Sequence, residues 1–213
     1  MNWLKQTIWS SIGKKLMMAV TGLAFCGFLA GHLAGNLTIY GGKSMFNSYA
    51  AHLHSLGPLI TVVEWGLVFF AVVHIGTGLI LFYLNFRSRP GRYAVNKWAG
   101  GRTIGSATMP YTGILVLAFV VMHLINFHFV DKGQTTIYQI VLKTFGNPLY
   151  VAIYVVAMIV VAVHVSHGFW SAFQTIGANH PKYMPLIMVL SIAFSLAVGF
   201  GFGLLPIFLW TVG

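Results

Sequence analysis

Long apolar stretches alternate with short polar ones along this chain. Runs without any charged residue cover 16–42, 110–130, 144–181 and 183–213, and residues 44–86 are interrupted only by Glu64. Each run can hold the roughly 20 apolar residues that a helix needs to cross a bilayer. Lipid offers no partner to a backbone N–H or C=O, so such a run has to satisfy its own hydrogen bonds as a helix. The pattern predicts helices at about 16–38, 61–84, 108–129, 149–173 and 185–209. The fold expected is an all-α membrane protein, with five transmembrane helices in one domain over 1–213. The first run is longer than a signal-peptide core and lacks a small-residue cleavage site, so it is expected to be a retained span.

Composition sharpens this picture. Hydrophobic residues make up 58% of the chain and charged residues 7%, with Glu64 and Asp131 the only acids. A soluble domain carries about 25% charged residues, so lipid is the expected solvent and partner. The formal charge is +10, which in a soluble protein would suggest nucleic acid. Here the cations sit in short loops, the pattern that orients membrane helices, and no nucleic-acid partner is expected. Lys5, Lys14, Lys15, Arg87, Arg89, Arg92, Lys97, Arg102 and Lys182 fall on one side of a five-span chain, and Lys43, Lys132 and Lys143 on the other. That asymmetry puts the N-terminus in the cytoplasm and predicts a multi-pass protein of the inner (cytoplasmic) membrane. The stretches RSRPGRY and NKWAGGR make the second inter-helix loop the most basic surface, suited to anionic lipid or a soluble partner. The single cysteine, Cys26, lies inside the first span, which excludes a disulfide framework and a thiolate metal site.

Four of the five predicted spans each carry a histidine inside them: His32, His74, His123 and His164. An ionisable side chain inside a membrane span is a functional candidate by default. At 1.5 Å per residue from the cytoplasmic helix ends, His32 and His123 lie roughly 23–24 Å up and His74 and His164 roughly 14–15 Å up. They fall into two level pairs about 10 Å apart in height. Two bis-histidine sites at two heights suit two stacked b-type haems held by a four-helix bundle. Neutral imidazole is a ligand of haem iron, and the spans are nearly free of carboxylates. A faint repeat divides the chain in the same way. The ascending helices share Thr21-Gly22 with His32-Leu33 and Thr112-Gly113 with His123-Leu124. The descending ones share His-x-x-x-Gly, as His74 with Gly78 and His164 with Gly168. Gly22, Gly78, Gly113 and Gly168 are candidates for packing against a porphyrin edge, or are simply small residues that pack membrane helices.

Other readings of these histidines exist. A single intramembrane imidazole can hydrogen-bond a neighbouring helix. Proton relays also use buried histidine, usually with carboxylates. Ligands at two heights do not converge on one tetrahedral zinc. His167 lies one turn after His164 and is the alternative fourth ligand. His128 falls at the outer end of the third span, His52 and His54 in the outer loop, and His180 in a cytoplasmic loop.

Several segments together resemble one family: Thr21-Gly22-Leu23 with Gly31-His32-Leu33-Ala34-Gly35-Asn36, FNSYAAHLHSLGP at 46–58, EWGL at 64–67, HIGTG at 74–78, N-x-RSRP-x-x-Y at 85–93, MHLINF at 122–127 and HVSHGFW at 164–170. The family is the five-helix di-haem cytochrome b anchor of succinate:quinone oxidoreductases, which includes menaquinone-reactive succinate dehydrogenases and fumarate reductases. The resemblance covers nearly the whole chain. It implies a membrane subunit that carries electrons between a quinone, menaquinone or menaquinol, and an iron–sulfur subunit, with FAD held in a flavoprotein subunit beside it on the cytoplasmic face. It further implies that the outer haem is ligated by His32 and His123, the inner by His74 and His164, and that quinone reacts towards the outer haem. Position alone makes His54 and Glu64 candidates for quinone protons there, and Lys43 or Lys143 candidates for a haem propionate; Glu64 can equally cap or orient the second span. Some members carry a glutamate two residues before the fourth-helix ligand for transmembrane proton movement. Here that position is Ala162, and the proton pathway does not carry over. Two rivals remain: a cytochrome b anchor of a hydrogenase or formate dehydrogenase, and a haem-free transporter or assembly protein.

Overall fold

A computed structural model describes residues 3–88, 104–131 and 133–213. The described residues form helices α1 (Trp3–Trp9), α2 (Ser11–Leu37), α3 (Gly42–Ser55), α4 (Pro58–Arg87), α5 (Ile104–Phe127), α6 (Ile137–Phe145), α7 (Pro148–Thr175) and α8 (Met184–Val212), with a 3₁₀ turn at Thr38–Gly41. Five of them, α2, α4, α5, α7 and α8, are long and apolar enough to cross a membrane, as in a multi-pass membrane protein. Arg89, Arg92, Lys97, Arg102 and Lys132, which contribute to the orientation argument, lie outside the described residues.

The helix ends follow capping chemistry more closely than charge. Ser10 caps α2, its Oγ accepting from Gly13 N at 2.9 Å, so the helix begins five residues before the charge-free run does and includes Lys14 and Lys15. Pro58 and Pro148 open α4 and α7, where their missing N–H costs nothing. Glu64 sits in the second turn of α4, and Gly57 occupies the cap position without a side-chain bond. The carboxylate therefore does not cap this helix. Gly13 lets α1 fold onto α2, because a Cβ there would run into Thr7 O.

Two short helices that the charge pattern does not predict lie at one end of the bundle. Residues 42–55, which hold His52 and His54, are helical rather than a loop. α6 begins with a capping box, Gln139 N donating to Thr136 Oγ1 and Thr136 N to Gln139 Oε1. Tyr138 N donates to Asn47 Oδ1 at 3.2 Å and joins α6 to α3. Phe46 and Phe145 then close over Val151, Tyr154, Leu205 and Leu209 as one apolar cluster. We call this end the cap side and the other the N-terminal side.

Helix α7 is the hub. It packs on α2, α5 and α8, while α2 also packs on α4; α4 and α5 meet only over a short stretch. The four helices α4, α2, α7 and α5 make a ring, and α8 lies against α7 outside it. Along α7 and α8 small residues bring the backbones together: a Cβ on Gly199 would lie 3.0 Å from Ala162 Cβ. The buried Ser191 hydroxyl donates across to Ser166 O at 2.5 Å. This is the close packing and polar adhesion that helices use where lipid removes the hydrophobic drive between them. In the other ring helices the large apolar residues face outwards. Val62, Trp65, Phe69 and Val72 of α4 are all more than 60% exposed, whereas the residue buried on that helix is Thr77. On α5 the buried residues are Gly105 and Thr112. The ring thus turns polar and small side chains inwards and leucine-like ones to lipid.

Candidate functional site

The inner faces of the ring bring four histidines together in twos. His32 of α2 and His123 of α5 have ring centroids 5.9 Å apart, with planes at 89°. Aromatic rings enclose them: Phe28 stacks on His32 at 5.1 Å, Phe202 lies at 5.3 Å, and Phe119, Phe127 and Tyr154 surround His123. Asn36 spends its amide on the His32 carbonyl at 2.8 Å and reaches His32 Nδ1 only at 3.4 Å, the long limit of a hydrogen bond. His123 Nδ1 is a buried polar atom with no partner among the described residues.

The second pair is His74 of α4 and His164 of α7, each set against a threonine of a neighbouring helix. Their surroundings are symmetric. Thr21 Oγ1 is 3.1 Å from His74 Nδ1, and Thr112 Oγ1 is 3.1 Å from His164 Nδ1. Thr21 donates its hydroxyl proton to its own helix, to Met17 O at 2.7 Å. Thr112 likewise reaches Thr108 O and Met109 O, both at 3.1 Å. With the hydroxyl proton engaged, each threonine oxygen can only accept from the imidazole. In that arrangement Nδ1 carries the imidazole proton and Nε2 presents a lone pair. The neighbouring glycines make room: a Cβ on Gly22 would meet His74 Cε1 at 3.3 Å, and one on Gly113 would meet His164 Cε1 at 3.5 Å.

The Thr-Gly pairs therefore serve histidines on other helices. Gly22 and Gly113, together with the threonines before them, frame His74 and His164, although their own helices carry His32 and His123. The sequence repeat marks these positions but not which imidazole they face. A Cβ on Gly78 would meet nothing within 4 Å, and one on Gly168 would meet only Met109 Cε at 3.9 Å. The same contacts revise the spacing. His74 is level with residues 21–22 of α2, about 15 Å below His32 at 1.5 Å per residue, rather than about 10 Å. The helix ends account for part of this: α2 and α5 begin five and four residues earlier than predicted, while α4 and α7 run on by only three and two, a net two residues or about 3 Å for each pair.

The remaining candidates lie elsewhere. His167 packs its ring on Trp170 at 4.9 Å and its Cβ against Gly105, one turn towards the N-terminal side from His164. His54, Glu64, Lys43 and Lys143 are exposed. Ala162 faces Gly199 of α8, so a longer side chain there would meet that backbone. Among the described residues no three of His, Cys, Asp or Glu converge.

On the cap side an open cleft of about 640 Å³ lies between the end of α5, α6 and the start of α7. Asn126, Asp131, Gln139, Lys143, Thr144 and Tyr150 give it a polar lining that includes neither His54 nor Glu64. Asn126 Nδ2 donates to Tyr154 Oη at 3.1 Å, and Tyr154 in turn packs on His123. The cleft is thus joined to the first histidine pair by two side chains. No protein-family model, no curated protein and no solved structure matches the chain.

Proposed function

We propose that this chain is the di-haem cytochrome b subunit of a succinate:quinone oxidoreductase, in the succinate dehydrogenase or fumarate reductase sense. It anchors a flavoprotein and an iron–sulfur subunit on the cytoplasmic face and links them electrically to membrane menaquinone. The observation that carries the haem reading is the matched setting of His74 and His164, each with Nδ1 3.1 Å from a threonine oxygen, a contact that suits a proton on Nδ1 and a lone pair at Nε2. Metal-ligating histidines are held this way: the second nitrogen donates to a fixed acceptor, which sets tautomer and ring orientation. A histidine serving only as a core donor has no need of a matching partner across the bundle.

The residues present fit two b haems. His74 and His164 would hold one iron, and His32 and His123 the other. A centroid separation of 5.9 Å is of the size that two imidazoles sharing one ion would need, since a metal–nitrogen bond is about 2 Å. His123 Nδ1 meets no such acceptor among the described residues, so the outer pair rests on its separation and its aromatic surroundings. Haem held there would supply a one-electron couple at each level, and two histidines per iron would suit it to electron transfer rather than to oxygen or substrate chemistry.

The chain's own residues do the rest. Thr21 and Thr112 hold the inner imidazoles in one tautomer. Phe28, Phe202 and Phe127 keep water from the outer pair, and the lipid-facing leucines and valines keep the ring in a low dielectric. The polar cleft on the cap side is the best-supported place for a quinone headgroup. Its Lys143, Gln139 and Tyr150 offer hydrogen-bond donors, and Asp131 is at hand for a proton. His54 and Glu64 fall outside that lining and become the weaker candidates.

The experiment is a dithionite-reduced spectrum of the purified full chain, followed by His32→Ala and His74→Ala. Two b-type components are expected, each variant losing one. His32→Ala should also abolish quinone reactivity while artificial-acceptor turnover by the soluble subunits persists. A chain with no b-type absorption ends the reading, and co-purification of a hydrogenase or formate dehydrogenase would replace the partner.

A further inference from the structure

The cap-side cleft is lined by several neutral hydrogen-bonding groups, and the fold has already spent part of most of them. Gln139 Oε1 accepts from Thr136 N at 2.9 Å and from Thr136 Oγ1 at 3.1 Å, which leaves its NH2 to donate. Asn147 Oδ1 accepts from Leu149 N at 2.9 Å, so it too is left with donors. Thr144 gives its proton to Ile140 O at 2.9 Å and is left to accept. Each of these has one fixed sense towards a ligand.

Asn126 differs. Its Nδ2 donates to Tyr154 Oη at 3.1 Å. Its Oδ1 has no partner among the described residues, yet it is not a buried atom, so it stays accessible on a residue that lines the cleft. The partner is held firmly. Tyr154 is 4% exposed, and Phe119, Phe145 and His123 pack round its ring at centroid distances of 5.1, 5.0 and 6.2 Å. A tyrosine hydroxyl both donates and accepts. With the amide as it stands, Tyr154 accepts from Nδ2, and Oδ1 is ready to accept from a ligand hydroxyl. With the amide turned over, Tyr154 donates to Oδ1, and the NH2 is ready to donate to a ligand carbonyl. Both arrangements keep one hydrogen bond to Tyr154, so the protein side of the exchange is balanced. Asn126 also follows His123 by three residues on α5, about 4.5 Å along the axis, which sets a ligand on it close to the first histidine pair.

We propose that Asn126 is the residue of the cleft that recognises the headgroup in both oxidation states, and that Tyr154 is its positioning residue. The ligand class is a neutral ring whose carbonyl becomes a hydroxyl on reduction. The cleft volume of about 640 Å³ falls among small-molecule pockets, which run from roughly 300 to 1,000 Å³. The identity of the ligand as a quinone rests on the proposed function; the two senses of the amide do not.

The test uses the full chain and menadione, a naphthoquinone without an isoprenoid tail. Dissociation constants are measured by calorimetry for the quinone with the air-oxidised chain and for its hydroquinone with the dithionite-reduced chain. Wild type is expected to bind both. Asn126→Leu should weaken both forms by about tenfold, the loss that one hydrogen bond brings. Tyr154→Phe keeps the ring against His123 but removes the anchor, and should weaken both forms by less. Asn126→Leu strands the buried Tyr154 hydroxyl, so the double variant, which removes both polar groups, is measured beside it and should match it. Wild-type affinity for both forms in Asn126→Leu and in the double variant overturns the site, as does a wild-type chain that binds neither form. Weakening of one form alone overturns the exchange of the amide. Loss of retained phospholipid from Asn126→Leu in native mass spectra, with menadione affinity unchanged, gives the cleft to a lipid headgroup and overturns the site as well. A chain without b-type absorption that still binds menadione through Asn126 fails the proposed function and keeps the site. Two b-type centres with menadione binding indifferent to Asn126 do the reverse.

Discussion

Replacing Thr112 by valine is the sharpest probe of the inner histidine pair, because valine keeps the shape and removes one oxygen. In the native chain that oxygen is 3.1 Å from His164 Nδ1, and its proton is engaged by Thr108 O and Met109 O. After the substitution the imidazole has two courses. It can leave Nδ1–H buried without an acceptor, at about 1–3 kcal/mol. Or it can move the proton to Nε2, which removes the lone pair that would bind metal. The lower bound on lost ligand affinity is therefore about 1 kcal/mol and the upper about 3, or roughly 5- to 150-fold. Removal of hydrogen-bond partners behind metal-bound histidines spans a similar range, about 10–100-fold. The assay is haem content per protein and the rate of haem capture by excess apomyoglobin, read at the inner centre, with Thr112→Ser restoring both. Thr21→Val should behave alike through His74, and since the proposed function puts both threonines behind one iron, the double variant should depart from the sum of the two. Haem content and capture rates at wild-type values in Thr112→Val and Thr21→Val alike would refute the tautomer argument.

Other outcomes follow from the same contacts. Gly22→Val, at a position where even a Cβ comes within 3.3 Å of His74 Cε1, should alter the electron paramagnetic resonance signal of the inner centre and spare the outer; unchanged spectra would show that the ring has room. Gly13→Ala pushes a Cβ against Thr7 O and should cost about 1–3 kcal/mol of stability, seen as a lower thermal midpoint. Ser191→Ala removes the bond to Ser166 O and should cost about 0.6 kcal/mol and not more than about 1.7; a larger loss in detergent unfolding would mean that α8 depends on more than this contact. Lys143→Ala should raise KM for quinone with little change in haem content, whereas Glu64→Gln should leave KM near wild type; the reverse ranking would move the quinone site away from the cap-side cleft.

The five long helices are legible in the sequence because lipid leaves the backbone no alternative, so an uncharged run of sufficient length reads directly as a helix. Their ends are not, because charge is a poor marker of a helix start. Ser10, Pro58 and Asn147-Pro148 set those starts by capping, and Lys14 and Lys15 lie inside α2 despite their charge. Helices α3 and α6 escape the charge pattern for a related reason. They are short and not apolar enough to stand out as spans, although Thr136 and Gln139 spell a capping box. Within the site, spacing along one helix locates the four histidines and the Thr-Gly repeat. It cannot say that Thr21 faces His74 and Thr112 faces His164, because that depends on which helices adjoin and at what height. Gly78 and Gly168 show the same limit: a glycine one turn from a histidine on its own helix says nothing of what stands opposite.

Thr21 precedes His32 by eleven residues, and Thr112 precedes His123 by eleven. Eleven residues make three turns with about 20° left over, so each helix presents a contact to the lower pair and a member of the upper pair along one line. The gap between the two levels is therefore counted in peptide bonds. One residue added between 22 and 31 would swing His32 about 100° away from His123 while leaving Thr21 on His74. Four added residues would nearly restore the facing but lift His32 by about 6 Å. A surface loop can take added residues at little cost; these two segments behave like a reading frame, in which only whole turns keep both levels in phase.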